Sequence, residues 1–205
     1  MEAATLHPSA PEQGAVAPAP GLADTLRLYP GGYPVHVDVP QARVGGAGTA
    51  LRFTLPPRGL NFPLSHTREA KLVVALAGEL ELHAGREHAL RLASGQALLV
   101  PRGLAHRIAQ HGALPATVGV ALWPGAVEEA FRALDRMVAS SGFERARAAA
   151  LFAAWGVHWD GAQAAGAPAP DLHPAAFGHA ATALPALLRT ALDVAWRPWL
   201  ARAGA

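Results

Sequence analysis

The chain contains no cysteine. Disulfides, thiolate metal sites and thiol nucleophiles are therefore excluded, and any metal has to be held by imidazole and oxygen ligands. Lysine is almost as scarce: Lys71 is the only one among 17 basic residues, the rest being arginine. Charged residues make up 16% of the chain, and 17 basic against 15 acidic side chains leave a formal net charge of +2. No basic run stands out, so no nucleic-acid footprint is visible. No apolar run reaches the roughly 18 uninterrupted residues of a membrane span. The most apolar C-terminal stretch is broken by Pro185, Arg189 and Asp193. The first residues carry Glu2 and lack a continuous apolar core, which does not fit a secretory signal, and a cytoplasmic location is expected.

What is present suffices for one good-sized core: 205 residues, 51% of them hydrophobic. Residues 1–22, rich in Pro, Ala and Gly, read as a disordered tail. Residues 23–124 read as a run of short strands with frequent turn signals, which predicts a sandwich or barrel. The strand candidates are PVHVDVP (34–40), TALRFTL (49–55), KLVVALA (71–77), ELELHA (79–84), HALRLA (88–93), QALLVP (96–101), AHRIAQ (105–110) and ATVGVALW (116–123). In ELELHA, Leu80 and Leu82 face one way and Glu79 and Glu81 the other. Gly85 marks a hairpin turn with His83 and His88 on its flanks, both expected to be exposed. Residues 125–205 read as a helical extension, packed on the barrel or on a dimer partner. Val127, Phe131, Leu134 and Val138 recur at helical spacing, with Glu128 and Glu129 in the first turn. FERARAAALFAAW forms a second helix that Gly156 stops, and Pro185 breaks the last apolar stretch.

From Gly59 to Gln110 the chain resembles the cupin superfamily. The family's second motif is a glycine, five residues, Pro-x-Gly, two residues and a histidine. It stands here as Gly95, QALLV, Pro101, Arg102, Gly103, Leu104-Ala105 and His106. Gln110 occupies the place of an asparagine four positions on. The first motif keeps both bounding glycines, Gly59 and Gly78, and departs between them. In strict register its two histidines become Ser65 and Thr67, and its glutamate becomes Lys71. With one more residue in the gap, His66 takes the second histidine's place and Leu64 the first. The resemblance implies a double-stranded β-helix (jelly-roll) barrel with a pocket between its sheets, mainly β, followed by C-terminal helices. It says little about the reaction, because this fold hosts many chemistries.

The family's usual metal set is three imidazoles and a carboxylate. At most His66 and His106 survive of it, and an ammonium in the carboxylate's place repels a divalent ion. Glu69 is the candidate replacement. In an ideal strand it shares a face with Thr67 and Lys71, so His66 and Glu69 both reach inward only across a bulge. Two site readings follow. One is a ligand pocket walled by Ser65, Thr67, Lys71 and His106, with a partly desolvated lysine able to hold an anion, act as a base or attack a carbonyl. The other is a metal held by His66, His106 and Glu69, the cofactor being one divalent ion of iron, manganese, nickel or zinc. The first makes the protein a small-molecule-binding cupin, metal-free or weakly metal-binding; the second makes it a dioxygenase or isomerase type of enzyme. A third reading, a regulator resembling the sensory half of sugar-responsive activators, lacks a helix-turn-helix pair. Expected partners are a small-molecule ligand and a second copy of the chain, with neither nucleic acid nor membrane.

Overall fold

Each of the eight segments read as strands forms one. The structure, a computed structural model, describes residues 24–28, 32–84, 88–159 and 171–203. The N-terminal tail, the turn at Gly85-Arg86 and the linker after Trp159 lie outside the described residues. The strands are β1 (Asp24–Leu28), β2 (Tyr33–Val39), β3 (Thr49–Leu55), β4 (Ser65–His66), β5 (Ala70–Ala77), β6 (Leu80–Ala84), β7 (His88–Leu92), β8 (Gln96–Val100), β9 (His106–Ala109) and β10 (Ala116–Trp123). Helices α1 (Val127–Ser141) and α2 (Arg145–Ala154) follow, then β11 (Val157–His158), β12 (Ala175–Ala176), α3 (Phe177–Ala180), α4 (Ala186–Ala195) and α5 (Arg197–Ala203). None of the described helices is long and apolar enough to cross a membrane.

The strands form a seven-stranded sheet in the order β1-β2-β3-β10-β5-β8-β12, a three-stranded sheet β7-β6-β9 and a two-stranded ladder β11-β4, with antiparallel pairing throughout. The chain leaves the large sheet for the small one between β5 and β6 and returns between β7 and β8. Gly78 and Gly95 occupy these crossings at φ +77 and +84, a backbone region that side chains disfavour. The inner faces of the two larger sheets share one core: Val35, Leu51, Phe53 and Val73 from one, Leu80, Leu82 and Ile108 from the other. Each such fully buried side chain contributes about 1.5–3 kcal/mol.

The lack of alternation in KLVVALA and ATVGVALW has a plain cause. Both strands lie inside the seven-stranded sheet and are covered on both faces. Val73 and Ala75 face the inner core; Leu72, Val74 and Leu76 face a second cluster built with Phe177, Leu184, Leu188, Leu192 and Trp196. The last helices therefore cover the chain's own sheet. Pro185 ends one helical stretch and caps the next, as its missing amide requires. Helices α1 and α2 close the other side, where Phe131, Leu134, Phe152 and Trp159 join the inner core. Glu144 caps α2 by accepting the amides of Ala146 and Arg147 at 2.9 and 3.1 Å.

Candidate functional site

Lys71 is the second residue of β5, and alternation turns it to the inner face with Val73 and Ala75. His106 opens β9 in the opposite sheet, where paired amide bonds of 2.8 and 2.9 Å tie it to Leu64. The two side chains meet across the core, Lys71 Nζ lying 2.8 Å from His106 Nε2, with both residues buried. The geometry fixes the tautomer. The Leu104 carbonyl, 2.9 Å from His106 Nδ1, can only accept, so Nδ1 carries the proton and Nε2 offers its lone pair to the amine. Burial, then the charge of Lys71, push the His106 imidazole down to about 3, against the Leu104 bond that raises it. Burial alone brings the Lys71 ammonium down to about 7.

His66 and Glu69 lie beside this pair. The strand expected through residue 71 is broken: β4 ends at His66, Thr67 and Arg68 form a bend, and β5 starts at Ala70. Two residues bulge out, so His66 and Glu69 are both buried while Thr67 and Arg68 are exposed. This corrects the placement of Thr67, expected on the pocket wall. Its amide and hydroxyl instead donate to the Gly156 carbonyl at 2.8 and 3.0 Å. Ser65 is buried and stands opposite His158 in the β4–β11 ladder. Neither ring nitrogen of His66 and neither carboxylate oxygen of Glu69 has a hydrogen-bond partner among the described residues. The closest approach between these groups is 3.7 Å. Burial, then the charges of Lys71 and His106, hold the His66 imidazole well below its ordinary value. Burial raises the Glu69 carboxyl despite the nearby guanidinium groups of Arg68 and Arg102.

The rings of His66 and His106 stack with centroids 6.1 Å apart. Their ligating atoms do not converge with those of Glu69. Among the described residues, the group of three histidine or acidic side chains with ligand atoms mutually within 4.8 Å is Glu81, His83 and His111 instead. Below Lys71 lies a cavity of about 30 Å³, lined by apolar groups including Leu51, Phe53, Ile108 and Phe131, with Asn61 as its second polar residue.

A family model described as "Cupin domain" matches residues 51–123. Residues 51–123 of this chain form a cupin domain. Its matched segment runs from Leu51 within β3 through β10, so Lys71, His106, His66 and Glu69 all belong to the cupin domain, whereas α1 and its Phe131 lie beyond the match. Among solved structures, the TT1209 protein of Thermus thermophilus is 28% identical, the match covering 39% of this cupin and 75% of that chain at a TM-score of 0.37. A sugar phosphate isomerase of the cupin superfamily from Silicibacter pomeroyi is 17% identical over 49% of this chain and 71% of its own, at a TM-score of 0.42. A Klebsiella pneumoniae protein with a double-stranded β-helix domain is 18% identical over 40% and 66%, at a TM-score of 0.38. No curated protein matches.

Sequence reasoning missed Asn61 and gave Phe131 and Gln110 no part in the interior site. Asn61 accepts the Ile108 amide and lines the cavity; its signal was a lone amide in the apolar segment GLNFPL. Phe131 reads as helix core and also walls the cavity. Gln110, at the motif's asparagine position, is structural: its carbonyl oxygen accepts the Arg58 amide at 2.8 Å and its amide donates to Leu114, joining two loops.

Proposed function

We propose that this cupin binds a small carboxylate in its interior, and that Lys71 and His106 organise the site in place of a metal. The 2.8 Å contact between Lys71 Nζ and His106 Nε2 carries the reading. A metal at His106 would need the Nε2 lone pair, which the amine occupies, and an ammonium there repels a divalent ion. The donor set agrees: His66, Glu69 and His106 do not converge, so the residues present do not fit the family's ion. Lys71 has no carboxylate among its pKa-shifting neighbours, so its charged form is uncompensated in an apolar cavity. A small anion supplies the missing charge and Lys71 takes up a proton as it binds. The cavity volume of about 30 Å³ admits only a few atoms, being roughly twice what one water needs. Formate and acetate match it; longer acids require Phe131 to move.

A second reading is favoured by the four unpaired polar atoms of His66 and Glu69. It is a metal-dependent cupin enzyme using His66 and His106, and it needs Lys71 to be neutral and turned away.

One experiment separates them. Calorimetry at pH 7.5 with formate and acetate, in two buffers of different ionisation enthalpy, is run on the wild type and Lys71→Met. Metal content is measured on wild type, His106→Ala and His111→Ala. Carboxylate binding with proton uptake, absent in Lys71→Met, supports the proposal. A metal lost in His106→Ala but kept in His111→Ala overturns it and establishes the second reading.

A further inference from the structure

The outer face of the three-stranded sheet carries a second cluster, unrelated to the interior. In β6 the core residues Leu80, Leu82 and Ala84 alternate with Glu81 and His83, so these two share the face turned away from the core. β9 pairs with β6, Glu81 standing opposite Ala109, and His111 follows two residues after that partner. Register thus brings His111 to the two ligand-type side chains of β6, so that three such groups from two parts of the chain meet at one spot.

We propose that Glu81, His83 and His111 form a zinc-class divalent metal site on this outer face. Glu81 Oε1 lies 2.7 Å from His83 Nε2 and 3.3 Å from His111 Nε2. Ligands about 2.0–2.2 Å from one ion in a tetrahedral shell stand about 3.3–3.6 Å apart, so the His111 separation matches and the His83 ring has to retreat from Oε1 by under about 1 Å to admit the ion. The second carboxylate oxygen faces Arg91 Nε at 3.8 Å, on the side away from the imidazoles' partner Oε1. A further observation points to a ligand. His83 Nε2 is shielded from solvent and makes no hydrogen bond, although Oε1 is near, because the two groups are not aligned for one. An ion bound beside them, with the two groups slightly parted, satisfies both lone pairs.

Two imidazoles and one carboxylate suit a borderline ion such as zinc, with water completing the shell. The ion would clamp the turn after β9 to β6. It also bears on any metal analysis of the whole protein, since bulk metal content alone does not tell this site from the interior.

The test is zinc titration of the chelator-treated full chain, followed by calorimetry, with cobalt(II) absorption as a readout of coordination. The variants are His111→Ala, whose side chain is 64% exposed and whose loss leaves the fold intact, and Glu81→Gln. One zinc per chain is expected, with affinity reduced about tenfold or more in each variant and the cobalt spectrum altered. Unchanged zinc affinity in both variants, or no zinc uptake by the wild type, overturns the proposal.

Discussion

Lys71 and His106 come from opposite sheets and meet at 2.8 Å inside the cupin core, each buried and, among the described residues, without a carboxylate bonded to it. The burial of Lys71 makes the stability of the protein depend on pH in an unusual direction. Lys71 falls from 10.5 to about 7 on folding. Between these values the unfolded chain holds more protons than the folded one, so stability rises with pH across that window. Below about pH 7 both states are charged and the burial penalty is present in full. Urea unfolding at pH 7, 8 and 9 should show wild type gaining on Lys71→Met, by an amount on the order of a few kcal/mol over the whole window. A constant difference between the two proteins would refute the buried ammonium.

Acid acts through the histidines. His66 and His106 both have folded values below the ordinary 6.5. As pH falls under 6.5 the unfolded chain gains protons that these buried rings refuse, and stability is lost. The raised Glu69 carboxyl opposes this at lower pH, since it favours the folded state once protonated. Replacing His66 by Phe should flatten the loss between pH 6.5 and 5, read as the shift in urea midpoint.

Gly156 holds the bulge that turns His66 and Glu69 inward. It has φ +79, and an added Cβ would stand 2.6 Å from Thr67 Oγ1. Gly156→Ala is expected to destabilise by about 1–3 kcal/mol from backbone strain alone, and more from the collision. Thr67→Val, which removes only the hydroxyl bond, should cost about 1 kcal/mol. Equal effects of the two substitutions would contradict this account.

Glu128 is a buried carboxylate with four donors around it. The Gln41 amide and the Thr49 hydroxyl each lie at 2.7 Å, and Arg132 approaches with two nitrogens at 2.7 and 2.8 Å. Glu128→Ala leaves the Gln41 amide unpaired, the Thr49 hydroxyl with only the Val39 carbonyl and Arg132 with only Asp24, and should destabilise by about 3–5 kcal/mol. Chemical denaturation measures this directly, and a loss below about 1 kcal/mol would show that water replaces the carboxylate.

Much of this cupin was determined by its sequence alone. Turn glycines and apolar runs located all eight predicted strands, because chain reversal and burial are written in local residue types. Gly95 to His106 located the second motif, and with it the inward histidine. The absence of cysteine and the substitution at Lys71 limited the chemistry before any fold was known.

The remainder depended on contacts between distant residues. The bend at Thr67–Arg68 is stabilised by Gly156, nearly ninety positions away, so local alternation put Thr67 inside and separated His66 from Glu69. Whether Lys71 was solvated or buried depended on α1 and the opposite sheet closing over it. The Glu81–His83–His111 cluster arises from β6–β9 register, a pairing no single segment encodes. Side-chain type and period are local properties; which faces meet, and at what distance, follows from how the sheets and helices pack.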